Sequence, residues 1–105
     1  MAYPRRGAAG WAVHPGEILR EEFLRPLNMS VYALAKSLHV PAPRINDVVL
    51  EKRRITPDTA LRLARFFGTS EEFWMNLQDA FDLAMAKKQV ANELNRIKPL
   101  QAAGD

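Results

Sequence analysis

"ALAKSLHVPAPRINDVV" (residues 33–49) sets two short helical patterns end to end with almost nothing between them. Before the joint, Leu34, Ala35 and Leu38 continue an apolar period begun at Val31, spaced i, i+3, i+4 and i+7. After it, Ile45, Val48 and Val49 repeat at i, i+3 and i+4. Pro41 and Pro43 fit this second helix only in its first turn, where backbone N–H groups have no helical partner. Ala35 offers the small residue that two crossing helices need. Leu34, Leu38, Val40, Ile45 and Val48 supply apolar groups to lock the angle. The turn calls for a residue in the left-handed region, and His39 stands there in place of the usual Gly. The pattern is that of a helix-turn-helix unit, and an ordinary helical hairpin inside a small bundle satisfies it too.

Working outward, "HPGEILREEFLRPL" (14–27) predicts a helix with Pro15 at its first position, Glu17 and Glu21 near its positive end, and Pro26 as its stop. Ile18, Leu19 and Phe23 form its apolar side. Ser30 caps the second helix. Thr56 caps a fourth, with Pro57 and Asp58 in its first turn, Ala60, Leu63, Ala64 and Phe67 inward, and Gly68 at its end. Ser70 caps a fifth, with Glu71 and Glu72 in its first turn, and this helix continues towards Pro99. No strand pattern occurs, so the fold class is all-α with five helices. Residues 1–13, rich in Gly, Ala and Pro, read as a flexible arm, 14–98 as the domain, and 99–105 as a tail.

Composition narrows the function. There is no cysteine among the 105 residues, which excludes a disulfide framework, a thiolate metal site and a cysteine nucleophile. No apolar run nears the roughly 18 residues that span a bilayer, and "GAAGWAV" (7–13) is too short and glycine-broken for a signal peptide. A reducing, cytoplasmic setting is expected. His14 and His39 lie far apart with no acidic neighbour at metal-ligand spacing, and His14 reads as a helix-entry residue. Glu21-Glu22 and Glu71-Glu72 are explained by helix-start electrostatics and by pairing of Glu21 with Arg25. No catalytic site, metal site or cofactor is expected.

The formal net charge is +3, and its placement matters more than its size. "EKRR" (51–54) sets Lys52, Arg53 and Arg54 directly after the third helix, where a duplex backbone would pass. The face left open by Ile45 and Val48 carries Ala42, Pro43, Arg44, Asn46 and Asp47. Arg can read guanine and Asn adenine from the major groove. Ser30 and Lys36 join the three loop cations as phosphate candidates. Phe73, Trp74, Leu77, Phe81 and Met85 sit at helical spacing beside Phe66 and Phe67 and read as core. Leu83, Ala86, Val90, Leu94 and Ile97 then extend an apolar stripe beyond what four short helices cover. A mixed-sign polar face argues against a membrane-surface helix, so a second subunit or another partner is expected there, with Leu83, Val90, Leu94 and Ile97 as the dimer surface.

"HPGEILREEFL", "RIN" followed by Val-Val, "ITPDTALRLARFFGTSEEFWMNLQ" and "FDLAMAKKQ" closely resemble the HigA antitoxins of bacterial toxin–antitoxin pairs. These belong to the broad Cro/C1-type helix-turn-helix class. The resemblance spans residues 14 to about 98 and implies a five-helix lambda-repressor-like domain. It also implies a homodimer that binds operator DNA, represses its own operon and neutralises a RelE-like ribonuclease toxin. The chain departs from the family pattern at His39 in the turn and at Leu50-Glu51, where an Asn-Gly pair is common. Arg54 stands where Gly is common, and Pro43 where relatives carry a polar or basic residue. Two other functions stay open: a helical protein-interaction module whose basic loop never touches DNA, and a stand-alone transcriptional regulator without a toxin.

Overall fold

In the computed structural model, residues 12–101 are described, and they form five helices with no strand. The arm expected over 1–13 and the tail over 99–105 lie mostly outside the described residues. Helix α1 begins as Pro15–Ile18, widens into a π-helical stretch at Leu19–Leu24 and closes with Arg25–Leu27. Helices α2 (Val31–Leu38), α3 (Ala42–Val49), α4 (Pro57–Phe67) and α5 (Glu71–Arg96) follow.

The helix starts are those the sequence announces. Ser30, Thr56 and Ser70 each accept the N–H of the third residue on, at 3.0, 3.4 and 3.0 Å, which satisfies donors that no helical carbonyl reaches. His14 opens α1 by a different route, its Nδ1 accepting the Gly16 N–H at 2.8 Å.

Pro26 does not stop α1, contrary to expectation. The helix runs through it and ends at Asn28, which takes the left-handed conformation (φ 53°). The reason lies one turn earlier. The Arg25 N–H donates to the Arg20 carbonyl, five residues back, so the ladder is already widened where the proline ring would otherwise strike the preceding turn.

Leu19, Leu34, Ile45, Val48, Ile55, Leu63 and Trp74 are fully buried and draw all five helices around one core. Phe23, Phe67 and Trp74 stack beside it, with ring centroids 4.7 Å apart for Phe23–Phe67 and 5.0 Å for Phe23–Trp74. The aromatic stretch of α5 reaches the core less completely than expected. Trp74 is buried, Leu77, Phe81 and Met85 are half-buried, and Phe73 is exposed. Gly16 fixes how closely α1 meets α3, since a Cβ there would lie 1.8 Å from the Val48 carbonyl oxygen. Beyond Met85, α5 leaves the core, and every residue from Ala86 to Arg96 is exposed.

Candidate nucleic-acid interface

The angle between α2 and α3 is set by a tight left-handed turn. His39 adopts φ 61° and ψ 43° and donates its N–H to the Lys36 carbonyl, while the Val40 N–H reaches Ala35. These two bonds end α2 in a Schellman arrangement that satisfies carbonyls the helix leaves open. Ala35 is buried, as the crossing requires. Pro41 is the extended residue that caps α3, with Pro43 in its first turn.

Two arginines brace the unit, and sequence patterning missed both. Arg62 of α4 donates to the Leu38 carbonyl at 2.8 Å, closing the end of α2. Arg20 of α1 donates to the Val49 carbonyl at 2.6 Å, closing the end of α3, and reaches Glu51 at 3.4 Å. Glu51 sits at φ 64°, the left-handed position that the sequence fills without the Asn-Gly pair. An L-residue held there costs about 1–2 kcal/mol, and the Arg20 contact offsets part of that strain. Behind the loop, the Gln78 side chain is buried. Its carbonyl accepts the Ile55 N–H at 2.6 Å and its amide donates to Asp82 at 3.0 Å, tying the residue after the basic loop to α5.

Between these braces α3 presents one face outward. Pro43 and Asn46 are exposed, and Ala42 and Asp47 are half-buried beside them. Val31 and Tyr32 of α2 extend the face, and together the six residues line a shallow depression of about 360 Å³. Tyr32 is 71% exposed and lies off the apolar period of α2. A large aromatic on a helix's polar side was the available signal for it.

Arg44 stands differently from the expectation that placed it on the open face. It is half-buried on the flank and forms an ion pair with Asp58 of α4 at 2.8 Å. The helical period accounts for this, because Arg44 precedes the buried Val48 by one turn. Asp58 also pairs with Arg62 at 2.7 Å, and hydrogen bonds from Arg62 and Arg44 hold its carboxyl below the ordinary aspartate range. Arg53 pairs with Asp47 at 3.3 Å, and Arg54 pairs with Asp82. Burial raises the Asp82 pKa, but the Gln78 amide and Arg54 outweigh it, leaving a net lowering. Lys36 and Lys52 are exposed and enter no ion pair among the described residues. Ser30 spends its oxygen on the α2 cap. Leu83, Val90, Leu94 and Ile97 are all exposed; Val90 interrupts the helical geometry of α5 (φ −111°), and Ile97 follows its last residue.

No cluster of His, Cys, Asp and Glu suited to a metal ion occurs among the described residues, and no helix there is long and apolar enough to cross a membrane. The cross-braced pair α2–α3, with an outward face and a cationic loop behind it, defines a helix-turn-helix protein of the Cro/C1 type. The helix-turn-helix family profile matches residues 19–74. Virulence-associated protein I of Dichelobacter nodosus is 56% identical over 89 residues, 85% of this chain and 82% of that one. Antitoxin HigA-1 of Vibrio cholerae is 33% identical, covering 84% and 83%. Among solved structures, Pseudomonas aeruginosa antitoxin HigA with the higBA promoter superposes with a TM-score of 0.82 at 49% identity, covering 85% of this chain and 98% of that one. Antitoxin GraA in complex with its operator gives 0.83 at 42% identity, covering 89% and 95%. The chain belongs to the HigA family of helix-turn-helix antitoxins.

Proposed function

We propose that the chain is a homodimeric operator-binding repressor of its own operon and the antitoxin of a RelE-like ribonuclease toxin. The observation that carries the DNA reading is the α3 face, in which Pro43 and Asn46 stand open beside half-buried Ala42 and Asp47 on a helix pair braced by Arg20 and Arg62. Asn46 suits adenine, Asp47 suits the cytosine amino group, and Ala42 and Pro43 suit close apolar contact such as a thymine methyl. Arg44 reaches base edges only by leaving Asp58, and Arg53 and Arg54 reach phosphates only by leaving Asp47 and Asp82. Ser30, Lys36 and Lys52 complete the phosphate set. Relatives solved with promoter or operator DNA support the DNA-binding reading as a whole.

The dimer reading rests on α5. Leu83, Val90, Leu94 and Ile97 leave apolar side chains in water on either side of the break at Val90, and a second copy of the helix would cover them. Two helix-turn-helix units then read half-sites about 34 Å apart, or a multiple of that. The toxin reading rests on family membership, with the antitoxin name carried by relatives. A regulator without a toxin is the second reading, because relatives 38% and 41% identical are named only as transcriptional regulators.

Footprinting on DNA upstream of the protein's own gene tests the first part. A protected palindrome whose occupancy falls steeply with salt is expected; no protection would leave a protein-interaction module. Expression of the neighbouring small reading frame tests the second. Growth arrest relieved by this chain is expected, and a harmless neighbour would favour the stand-alone regulator.

A further inference from the structure

Arg44 on α3 and Arg54 in the loop after it are each already paired with a carboxylate from another helix. Asp58 holds Arg44 at 2.8 Å from the first turn of α4, and Asp82 holds Arg54 from α5. Both carboxylates have secondary anchors that keep them in place when the arginine leaves. Arg62 stays on Asp58 at 2.7 Å, and the Gln78 amide stays on Asp82 at 3.0 Å. Each is therefore a fixed acceptor that competes with any incoming phosphate for one guanidinium. We infer that Asp58 and Asp82 are internal counter-ions that hold down the affinity of the chain for any duplex by competing with phosphate for Arg44 and Arg54. This rests on the DNA-binding reading above.

The physical basis is an intramolecular competition. On any duplex an arginine gains phosphate attraction only by giving up roughly what its own carboxylate already provides. On a matching site base contacts from the α3 face add to the same exchange. Neutralising the two aspartates raises the formal net charge from +3 to +5 and frees the arginines for any phosphate.

The test compares wild type with Asp58→Asn/Asp82→Asn by fluorescence anisotropy over a salt series. The probes are a duplex from upstream of the protein's own gene and a scrambled duplex of equal length and composition. Asparagine keeps the hydrogen-bonding shape and removes the charge. The variant is expected to bind the scrambled duplex about fivefold tighter, about twofold or slightly more per freed arginine. Its log K–log salt slope should steepen by up to about 0.9 per arginine. Operator affinity should rise by a similar factor, because the same two ion pairs are given up there. Should Asp82→Asn loosen the Gln78 bridge and lower the melting temperature, Asp58→Asn alone is expected to show about half the effect. Unchanged scrambled-duplex affinity and slope would overturn the inference and reduce the pairs to surface ion pairs. Loss of affinity for both duplexes would overturn it the other way, making the carboxylates positioning groups. If wild type binds neither duplex, the DNA reading falls before any variant is compared, and this inference with it.

Discussion

The two halves of α5 were built to opposite specifications. From Glu71 to Asp82 the helix is part of the core: Trp74 is fully buried with its indole N–H donating to Thr69 at 2.7 Å, and Gln78 is buried with both ends of its amide engaged. From Leu83 onward the helix still carries large apolar residues, and Leu83, Val90 and Leu94 are left exposed. Among the described residues no buried side-chain polar atom lacks a partner, so the head is internally complete. An isolated amphipathic extension gains little from its own propensity and relies on packing. One helix thus packs into the core with its first half and leaves apolar side chains uncovered in its second, the half proposed above for assembly.

Truncating the head should have the largest effect. Trp74→Ala removes a fully buried indole and leaves Thr69 without its donor. It is expected to destabilise the domain by about 3–5 kcal/mol, read as a large drop in the denaturant midpoint. A loss below about 1 kcal/mol would mean that α5 is not integral to the head.

The complementary substitution lies in the distal half. Leu94→Glu with Ile97→Glu places charge on a stripe exposed in the single chain. Helical circular dichroism should stay largely intact while sedimentation shifts towards monomer. At about 25 cal/mol per Å², the burial lost from such side chains is several kcal/mol before association entropy is counted. Operator binding should fall with it, although no DNA-facing residue is touched. A double variant still dimeric at micromolar concentration would assign the stripe to another partner and the pairing to another surface.

How far the sequence disclosed this division depends on the kind of interaction. Periodicity and caps disclosed the five helices, because Ser30, Thr56 and Ser70 act within one turn of themselves. The His39 turn and the uncovered stripe were legible for the same local reason. The passage of α1 through Pro26 was not, since a widened turn leaves no mark in hydrophobic spacing. Nor were the partners of Arg44, Arg54, Arg20 and Arg62, which lie 14 to 31 residues away in the chain and meet only after packing. The flank position of Arg44 was within reach, one turn before buried Val48. Its ion pair with Asp58 was not.

Within the head, the proposed division is base reading by the α3 face and charge from the loop that follows it. Arg44→Ala is expected to weaken operator binding by about 1–3 kcal/mol and random binding much less. Equal losses on both would make Arg44 a backbone contact. Removing Lys52, Arg53 and Arg54 together should instead flatten the log K–log salt slope by up to about 0.9 per lost contact, and an unchanged slope would place that loop away from the duplex.

The smallest expected effect is a pH dependence confined to the head. His14 Nδ1 accepts the Gly16 N–H at 2.8 Å, and its ring meets Phe81 edge-on at 4.8 Å between centroids. A proton on Nδ1 would turn that acceptor into a donor and break the α1 cap. Burial of the imidazole lowers its pKa, opposed by the charges of Glu51 and Asp82 and aided by Arg20. Because the folded pKa lies below the unfolded value of about 6.5, the unfolded chain binds the proton first on acidification. The contribution is thus complete above about pH 6.5 and is lost as pH falls through the folded pKa, at no more than about 1.4 kcal/mol per pH unit for one proton. Denaturant midpoints of wild type should therefore decline from pH 7 to pH 5 more steeply than those of His14→Asn, which retains a side-chain acceptor for the Gly16 N–H without titrating. Parallel declines would mean that the carboxylates, not His14, carry the acid sensitivity of the head.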